Sequence, residues 1–288
     1  MNVLAFGEVL WDVYPDKKII GGAPLNFAAH LSKHGNSVSL LSAVGNDDEG
    51  ADAVALIRGW GISTDLVAVL SEKTTGKCLV TLDENAVPSY NLLEDVAYDR
   101  ITCKSDLDGF DVFYFGTLSL RSKHNMDRLK EILNSCSFKD IFVDLNIRLP
   151  FSTEDAVKFA VEKATMLKVS DEEMPFVANA LGLTCADDYR IFAKELSDRF
   201  KNLKCIVVTL GAGGAYALDA SKNIESSCEA DKVALASTVG AGDSFSASFL
   251  DQYYKKPLEL ALKYASKIAG YVVSCYDAVP NYDPNDFL

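Results

Sequence analysis

Hydrophobic and polar positions repeat with two different periods along most of this chain. Short runs rich in β-branched and aromatic residues predict strands, and longer stretches with apolar residues three and four apart predict helices. The predicted strands cover residues 2–9, 38–43, 111–116, 140–145, 165–169 and 204–209. The predicted helices cover residues 24–34, 48–59, 125–135, 153–163, 172–181, 187–200, 243–254 and 257–275. This alternation predicts an α/β fold in which helices cover both faces of a mostly parallel sheet.

One region breaks the alternation. Short extended pieces lie at 17–20, 76–83 and 88–93, and the last two are joined by a polar turn. We infer that insertions at about 13–23 and 72–100 form a small β-sheet lid over the crevice at the carboxyl ends of the parallel strands. An ordinary edge hairpin is the alternative.

Composition limits the class of protein. The 288 residues are 49% hydrophobic and 24% charged, which fits one globular α/β domain over residues 1–288. The net charge of −13 argues against a general nucleic-acid binder or a protein held on anionic membranes. No apolar run is long enough to span a bilayer, and the first residues lack the basic segment of a signal peptide.

Cysteines and histidines offer little chemistry. Seven cysteines include no Cys-x-x-Cys pair, which favours a reduced, cytoplasmic protein with mostly buried thiols. His30 and His34 lie four apart on a predicted helix, as zinc ligands can, but no glutamate follows His30. We expect both histidines at the surface.

The segment 237–245 carries the clearest candidate chemistry. A Gly-Ala-Gly turn at 240–242 leads to Asp243, and a helical pattern follows at once. Backbone N–H groups at a helix N-terminus lack intrahelical partners and attract anions such as phosphate. A carboxylate beside such a site can accept the proton of a hydroxyl during phosphoryl transfer. Alternatively, Asp243 is an N-cap and the turn is purely structural.

Further polar residues follow the first predicted strand. Asp12 comes just after it and could accept hydrogen bonds from two sugar hydroxyls, or it could be an ordinary loop aspartate. Gly21 and Gly22 allow close approach of a substrate to the backbone, and Pro24 suits the first helical turn. Asn26 would then point its amide into the same crevice, which a plain loop–helix junction does not explain.

Two later strands also end in polar residues. Asp144, Asn146 and Arg148 follow one of them, and the Arg148 guanidinium suits phosphate oxygens. Glu173 follows the next and could hold water around Mg²⁺. In both places the residues could simply favour the start of a helix.

The glycine-rich segment 210–215 is a weak dinucleotide signal. It is followed by the strand-like residues 216–218 rather than by a helix, so the context of a Rossmann fingerprint fails. The sequence also contains no P-loop motif.

Taken together, these motifs resemble the ribokinase-like, or phosphofructokinase-B, family of carbohydrate kinases. The family's first signature is matched by Gly21, Gly22, Asn26, Ala28, Gly35 and Gly45. Its second signature is matched by Thr238, Gly240, Ala241, Gly242 and Asp243. The chain looks most like bacterial fructokinases in the segments 6–12, 21–24, 96–100 and 144–148. The resemblance implies a three-layer sandwich with a small β-sheet lid, and ATP and Mg²⁺ as cofactors.

The resemblance also implies roles for individual residues. Asp243 would be the catalytic base, with Gly240, Ala241 and Gly242 as the anion hole. The sugar would be bound by Asp12, Gly22, Asn26, Tyr90, Asn146 and Arg148. The nucleotide would be bound by Lys168, Thr209, Gly211, Gly214, Lys267 and Cys275, with adenine near residues 264–275. Glu173 would reach the metal through water.

Three positions depart from the family pattern. Ser237 and Asp277 stand where relatives carry an acid and a glycine beside a monovalent-cation site, which leaves activation by K⁺ open. Ser170 stands where an asparagine is usual in the metal shell.

We expect an ATP-dependent kinase that phosphorylates a primary hydroxyl, most simply fructose to fructose 6-phosphate. Ribose, a nucleoside or a keto-deoxy sugar acid are alternative acceptors. A non-catalytic sugar-binding protein is a further alternative, although such a protein would be expected to have lost Asp243 or the glycine turn. The lid could also pair two copies into a homodimer.

Overall fold

The computed structural model describes residues 1–82, 88–103 and 107–288. The strands are β1 (Asn2–Phe6), β2 (Leu10–Val13), β3 (Lys18–Gly21), β4 (Ser37–Gly45), β5 (Val67–Leu70), β6 (Gly76–Leu82), β7 (Pro88–Leu92), β8 (Val112–Phe115), β9 (Asp140–Asp144), β10 (Met166–Ser170), β11 (Cys205–Thr209), β12 (Ala215–Asp219) and β13 (Ile224–Cys228). The α-helices are α1 (Ala23–Lys33), α2 (Asp48–Gly59), α3 (Lys123–Ser135), α4 (Glu154–Lys163), α5 (Met174–Leu181), α6 (Tyr189–Arg199), α7 (Ala241–Tyr253) and α8 (Leu258–Val273).

Nine of these strands form one large sheet in the order β13-β12-β11-β10-β9-β8-β1-β4-β5. Every neighbouring pair is parallel except β11 with β12 and β12 with β13. Residues of β1 point alternately into two apolar cores, with Val3 and Ala5 on one face and Leu4 and Phe6 on the other. Helices α1, α2, α7 and α8 cover the first face, and α3 to α6 cover the second. This three-layer arrangement confirms the predicted α/β fold class.

Each of the eight predicted helices is present, to within a few residues at its ends. Two edge strands of the large sheet, β5 and β13, were not predicted. β13 has mostly polar residues and gives no hydrophobic run, whereas β5 is apolar but only four residues long. The predicted strand over 2–9 was too long. The chain leaves the large sheet at Gly7, whose φ of +148° favours glycine, and β2 then begins in another sheet.

A small second sheet has the order β3-β2-β6-β7, with β2 parallel to β6 and the other pairs antiparallel. It confirms the predicted separate β-sheet, although residue 83 of the predicted extended piece lies outside the described residues. One face buries Leu10, Cys78 and Val80. On the opposite face the Trp11 indole donates a hydrogen bond of 3.0 Å to the backbone carbonyl of Glu49 on α2.

The expectation of surface histidines was wrong. His30 is fully buried, and its Nε2 lies 2.9 Å from the Ala278 carbonyl while its Nδ1 lies 2.8 Å from the Tyr282 hydroxyl. Since a carbonyl only accepts, Nε2 carries the proton and Nδ1 accepts from Tyr282. The side chain of His34 is 1% exposed and lies 3.6 Å from Asp251. His30 is buried because the segment after α8 packs back over α1, and His34 is buried mainly against α7 and α8. The local sequence pattern shows neither contact.

Two of the cysteines, Cys78 and Cys205, are buried and the others are partly buried. In the part of the chain that the structure describes, no helix combines the length and the apolar character needed to cross a membrane.

Candidate active site

A cavity of about 580 Å³ lies between the small sheet and the carboxyl ends of β9 and β10. It is lined by residues from widely separated parts of the chain. The predicted residues that line it are Asp12, Gly22, Asn26, Tyr90, Asn146, Arg148, Lys168, Gly240, Gly242 and Asp243. The whole predicted sugar-binding set therefore meets at one place, together with Gly240, Gly242 and Asp243 of the residues predicted to carry the chemistry, whereas Ala241 does not line the cavity.

The turn before α7 can be built only with glycine at position 240. Gly240 has φ +81°, and a Cβ there would lie 2.4 Å from the carbonyl oxygen of Ala278. The N–H of Ala241 bonds to the Thr238 carbonyl at 3.3 Å. No hydrogen bond from the N–H of Gly242 or Asp243 to another described residue is present. These two donors at a helix N-terminus form a site suited to an anion.

Asp243 lies at this turn with 8% of its surface exposed. Its Oδ2 accepts a hydrogen bond of 2.9 Å from the Asn26 amide. Burial, reinforced by the nearby charge of Asp144, raises the pKa of Asp243 to about 6, although Asn26, Lys168 and Arg148 oppose the shift. A carboxylate whose pKa lies close to neutral pH is well matched to accepting a proton and returning it.

A buried cation lies directly behind the turn. The ammonium of Lys168, on β10, is 3.1 Å from Asp144 Oδ1, and the Ser246 hydroxyl donates to Asp144 Oδ2 at 2.7 Å. The ammonium would be 3.2 Å from a Cβ placed on Gly242. Burial opposes its charge, but the carboxylates of Asp144 and Glu173 outweigh burial and raise the pKa of Lys168. Positive charge is therefore held where the helix N-terminus already favours an anion.

Asp12 was predicted to follow the first strand, but it lies within β2, in the small sheet. It stands opposite Cys78 in the β2–β6 register, and a Cβ on Gly21 would lie 3.1 Å from its Oδ2. Burial raises the pKa of Asp12, while Cys78 and Arg148 counteract the shift. Tyr90, on β7, is 56% exposed and lines the same cavity from the small sheet.

Asn146 and Arg148 lie in the loop after β9. Asn146 adopts φ +43°, and the backbone N–H of Arg148 donates to the Ser152 hydroxyl at 2.9 Å. Glu173 accepts hydrogen bonds from the N–H groups of Ile147 at 2.6 Å and Ser170 at 2.7 Å. Glu173 therefore ties the loop after β9 to the end of β10, and it is not among the residues that line the cavity.

The residues predicted for the nucleotide are more scattered. Lys168 lines the first cavity, whereas Lys267 lines a second cavity of about 570 Å³ between the end of β13 and α8. Gly211 lies in an exposed turn after β11, and Gly214 packs on the backbone at Cys228. Thr209, Gly211, Gly214 and Cys275 line neither of these two cavities. The structure thus brings Lys168 alone of this set to the proposed reaction site.

Sequence reasoning missed Glu8. It is 3% exposed and lines the first cavity. Its Oε1 accepts the N–H of Ala23 at 3.3 Å, and burial raises its pKa to about 7. The available signal was an acid inside an otherwise apolar predicted strand, four residues before Asp12.

The chain is similar in sequence to known carbohydrate kinases over most of its length. A family model described as pfkB family carbohydrate kinase matches residues 5–284. The chain is 27% identical over 315 residues to "Fructokinase-2" of Oryza sativa subsp. japonica, covering 96% of this chain and 90% of the relative. It is 29% identical over 277 residues to "Probable fructokinase-4" of Arabidopsis thaliana, covering 86% of this chain and 81% of the relative.

Two solved structures share the fold. The fructokinase of Xylella fastidiosa with bound ATP superposes with a TM-score of 0.83 at 19% identity, covering 99% of this chain and 97% of the other. The fructokinase double mutant of Vibrio cholerae O395 in its fructose-, ADP- and potassium-bound form gives a TM-score of 0.81 at 20% identity, covering 96% of this chain and 94% of the other.

Proposed function

This chain belongs to the pfkB family of carbohydrate kinases, and we propose that it transfers the γ-phosphoryl group of ATP to the 6-hydroxyl of D-fructose. The observation that carries the proposal is the position of Asp243, a buried carboxylate beside helix N–H groups without described partners, in a cavity lined by the side chains predicted to bind the sugar. The choice of fructose is supported by the relatives that are named fructokinases and align over most of both chains.

The chain's own residues account for activation of the acceptor. Asp12 and Asn26 would hold non-reacting hydroxyls and so direct the primary hydroxyl toward Asp243. Asp243 would then accept the hydroxyl proton as the new bond to phosphorus forms. Because Asn26 occupies Oδ2, the free Oδ1 is the oxygen that would take the proton.

The negative charge that develops on the transferred phosphoryl group would be stabilised by hydrogen-bond donors that are already in place. The N–H groups of Gly242 and Asp243 point from the start of α7, and the Lys168 ammonium lies behind them. The Arg148 guanidinium lines the same cavity. Fixed donors of this kind stabilise a transition state without reorganisation during the reaction.

ATP would extend from this turn toward Thr209, Gly211 and Gly214, with adenine near Lys267 and Cys275. Among the described residues no group of three or more His, Cys, Asp or Glu could hold a metal ion. Mg²⁺ would be carried by the phosphates of ATP, where it would neutralise their charge. Glu173 fits the predicted contact through water, since each of its oxygens has one hydrogen bond from a backbone N–H and one further lone pair.

The small sheet would act as a lid on a single kinase domain. Leu10, Cys78 and Leu92 line the cavity from this sheet, so closure over a sugar would expel water that could otherwise hydrolyse ATP. The inward direction of these side chains supports a covering role, and pairing of two lids in a homodimer stays a prediction. We place the reaction in the cytoplasm, where ATP is available.

The test is a coupled ADP-release assay with fructose, ribose, a nucleoside and a keto-deoxy sugar acid. Fructose should give the highest kcat/KM. Strong turnover of ribose with none of fructose would overturn the substrate but keep the sugar kinase. Sugar binding without any sugar-dependent ATP consumption would instead favour the non-catalytic alternative.

A further inference from the structure

Glu8 occupies a position that the proposed reaction does not use. It lies between β1 and β2, and its backbone carbonyl packs so closely on Gly22 that a Cβ there would lie 2.3 Å from the oxygen. Its side chain is buried but lines the cavity. Glu8 is therefore fixed at the wall formed by the start of α1.

The two oxygens of this carboxylate are not equivalent. Oε1 accepts the N–H of Ala23, in the first turn of α1. Oε2 is buried and has no hydrogen-bond partner among the residues that the structure describes. An unpaired buried acceptor is unfavourable. Because Glu8 lines the cavity, a small rotation of its carboxylate would bring Oε2 within reach of a ligand hydroxyl.

A second acceptor on the same wall, the side-chain oxygen of Asn26, also lacks a hydrogen-bond partner among the described residues. Asn26 donates to Asp243 through its amide nitrogen, but its Oδ1 is buried and finds no donor within the described part of the chain. Both Glu8 and Asn26 line the one cavity. The wall thus holds two buried acceptors whose O–H or N–H donors would come from a ligand or from water.

The charges of the lining indicate which kind of ligand supplies these donors. Asp12, Glu8 and Asp243 contribute three carboxyl groups. Among the described lining residues the cations are Arg148 and Lys168, and Lys168 is already paired with Asp144. A neutral polyol offers hydroxyl donors here without adding negative charge, whereas a sugar acid would bring a fourth carboxylate.

We propose that Glu8 determines acceptor specificity by accepting, through Oε2, a hydrogen bond from a non-reacting hydroxyl of a neutral sugar. This role rests on the proposed function, because it deepens the recognition of the same acceptor. It selects a fully hydroxylated sugar over a deoxy sugar and over a sugar acid.

The variant Glu8→Gln isolates the unpaired oxygen. The amide oxygen of glutamine can still accept the N–H of Ala23, whereas the amide nitrogen replaces the free acceptor with a donor. Loss of this hydrogen bond should raise the KM for fructose about tenfold at a pH above 8, where Glu8 is ionised. The kcat should change by less than about threefold, since a non-reacting hydroxyl contributes equally to ground-state and transition-state binding.

Monodeoxy analogues of fructose identify the hydroxyl that Glu8 binds. Each of 1-deoxy-, 3-deoxy- and 4-deoxy-D-fructose lacks one non-reacting hydroxyl, and 2,5-anhydro-D-mannitol lacks the anomeric one. For one of these four sugars the wild type and Glu8→Gln should have the same KM within about twofold, because the partner of Glu8 is already missing. For the other three the variant should show the same tenfold or larger defect as with fructose.

Several controls separate this role from a structural one. Glu195→Gln makes the same chemical change on α6, outside the cavity, and should leave all constants unchanged. Calorimetric titration of sugar without ATP measures binding alone, so it tests Glu8 even if the wild type turns over no sugar. Absence of turnover with every sugar would refute the proposed kinase activity and not the role of Glu8. If the variant fails to fold, the wild type still provides a test, since it should use a keto-deoxy sugar acid at least about a hundredfold less efficiently than fructose.

Unchanged fructose affinity in a folded Glu8→Gln variant would overturn the proposal and leave Glu8 as a cap of α1 that holds water. Equal use of the sugar acid and fructose by the wild type would overturn it as well.

Discussion

The amide of Asn26 donates a hydrogen bond of 2.9 Å to the carboxylate of Asp243, across 217 positions of sequence. The contact joins the first turn of α1 to the first turn of α7. It fixes which oxygen of Asp243 stays free for chemistry. One hydrogen bond thus links a residue of the first family signature to a residue of the second, which explains why neither signature alone defines the site.

Replacing the proposed base should separate catalysis from binding. Asp243→Asn keeps the size of the side chain but removes its ability to accept a proton. We expect kcat to fall by about 10² to 10⁴, with the dissociation constant for fructose unchanged within about threefold. Calorimetry and the coupled assay measure the two quantities, and near-normal turnover in this variant would contradict the assigned role.

The pH profile should report the same carboxylate. Burial and Asp144 raise the pKa of Asp243 to about 6, so its inactive protonated form accumulates at a higher pH than for an ordinary aspartate. The kcat/KM should therefore be full above pH 7 and fall about tenfold per unit below pH 6. A profile that stays flat down to pH 5 would show that another group limits the reaction.

The turn at Gly240 offers a matched pair of variants. Gly240 and Gly35 have similar φ values of +81° and +77°, but a Cβ on Gly35 would meet no atom within 4 Å. Gly35→Ala should cost about 1–2 kcal/mol of unfolding free energy from backbone strain alone and leave kcat unchanged. Gly240→Ala adds the clash with Ala278, so it should cost more and lower kcat at least about a hundredfold.

Urea unfolding and the coupled assay distinguish these effects. Equal losses of stability in both glycine variants, with kcat preserved in both, would show that the turn does not depend on the close contact with Ala278.

Lys168 can be tested for a role beyond its ion pair. Lys168→Met leaves the buried Asp144 uncompensated and should cost about 3–5 kcal/mol of unfolding free energy. Adding Asp144→Asn removes that charge and should restore most of the stability. The kcat should stay about 10²-fold or more below wild type in both variants, because the donor to the phosphoryl group is still missing. Recovery of kcat in the double variant would assign Lys168 to folding alone.

Local patterns in the sequence predicted the helices and most central strands, because both have strong hydrophobic periodicity. They also placed Asn146 and Arg148 at the cavity, since polar side chains after parallel strands converge at one edge of a sheet, whereas Tyr90 was assigned from the family resemblance. The edge strand β13 was missed because its residues are mostly polar, and β5 because its apolar run is only four residues long. Asp12 was placed in a loop because the turn at Gly7 moves the chain to a second sheet within three residues.

Burial by distant segments was not predictable from local pattern. The local pattern predicts that His30 lies on the exposed surface of a helix, but in the structure the segment that holds Ala278 and Tyr282 covers it. The partners of Lys168 and Glu8 are likewise tertiary, and the sequence alone does not show that one oxygen of Glu8 lacks a donor. Residue types were therefore predictable at the site, whereas their pairing was not.

The carboxylates that line the cavity have a consequence for the end of the catalytic cycle. The acceptor enters without charge, but it leaves as a phosphate monoester that carries roughly −1.5 to −2 charges at pH 7. Asp12, Glu8 and Asp243 would repel that charge, whereas Lys168, Arg148 and the N–H groups at the start of α7 would attract it. The balance between these two sets of groups therefore governs product release, and inhibition by added sugar phosphate measures it.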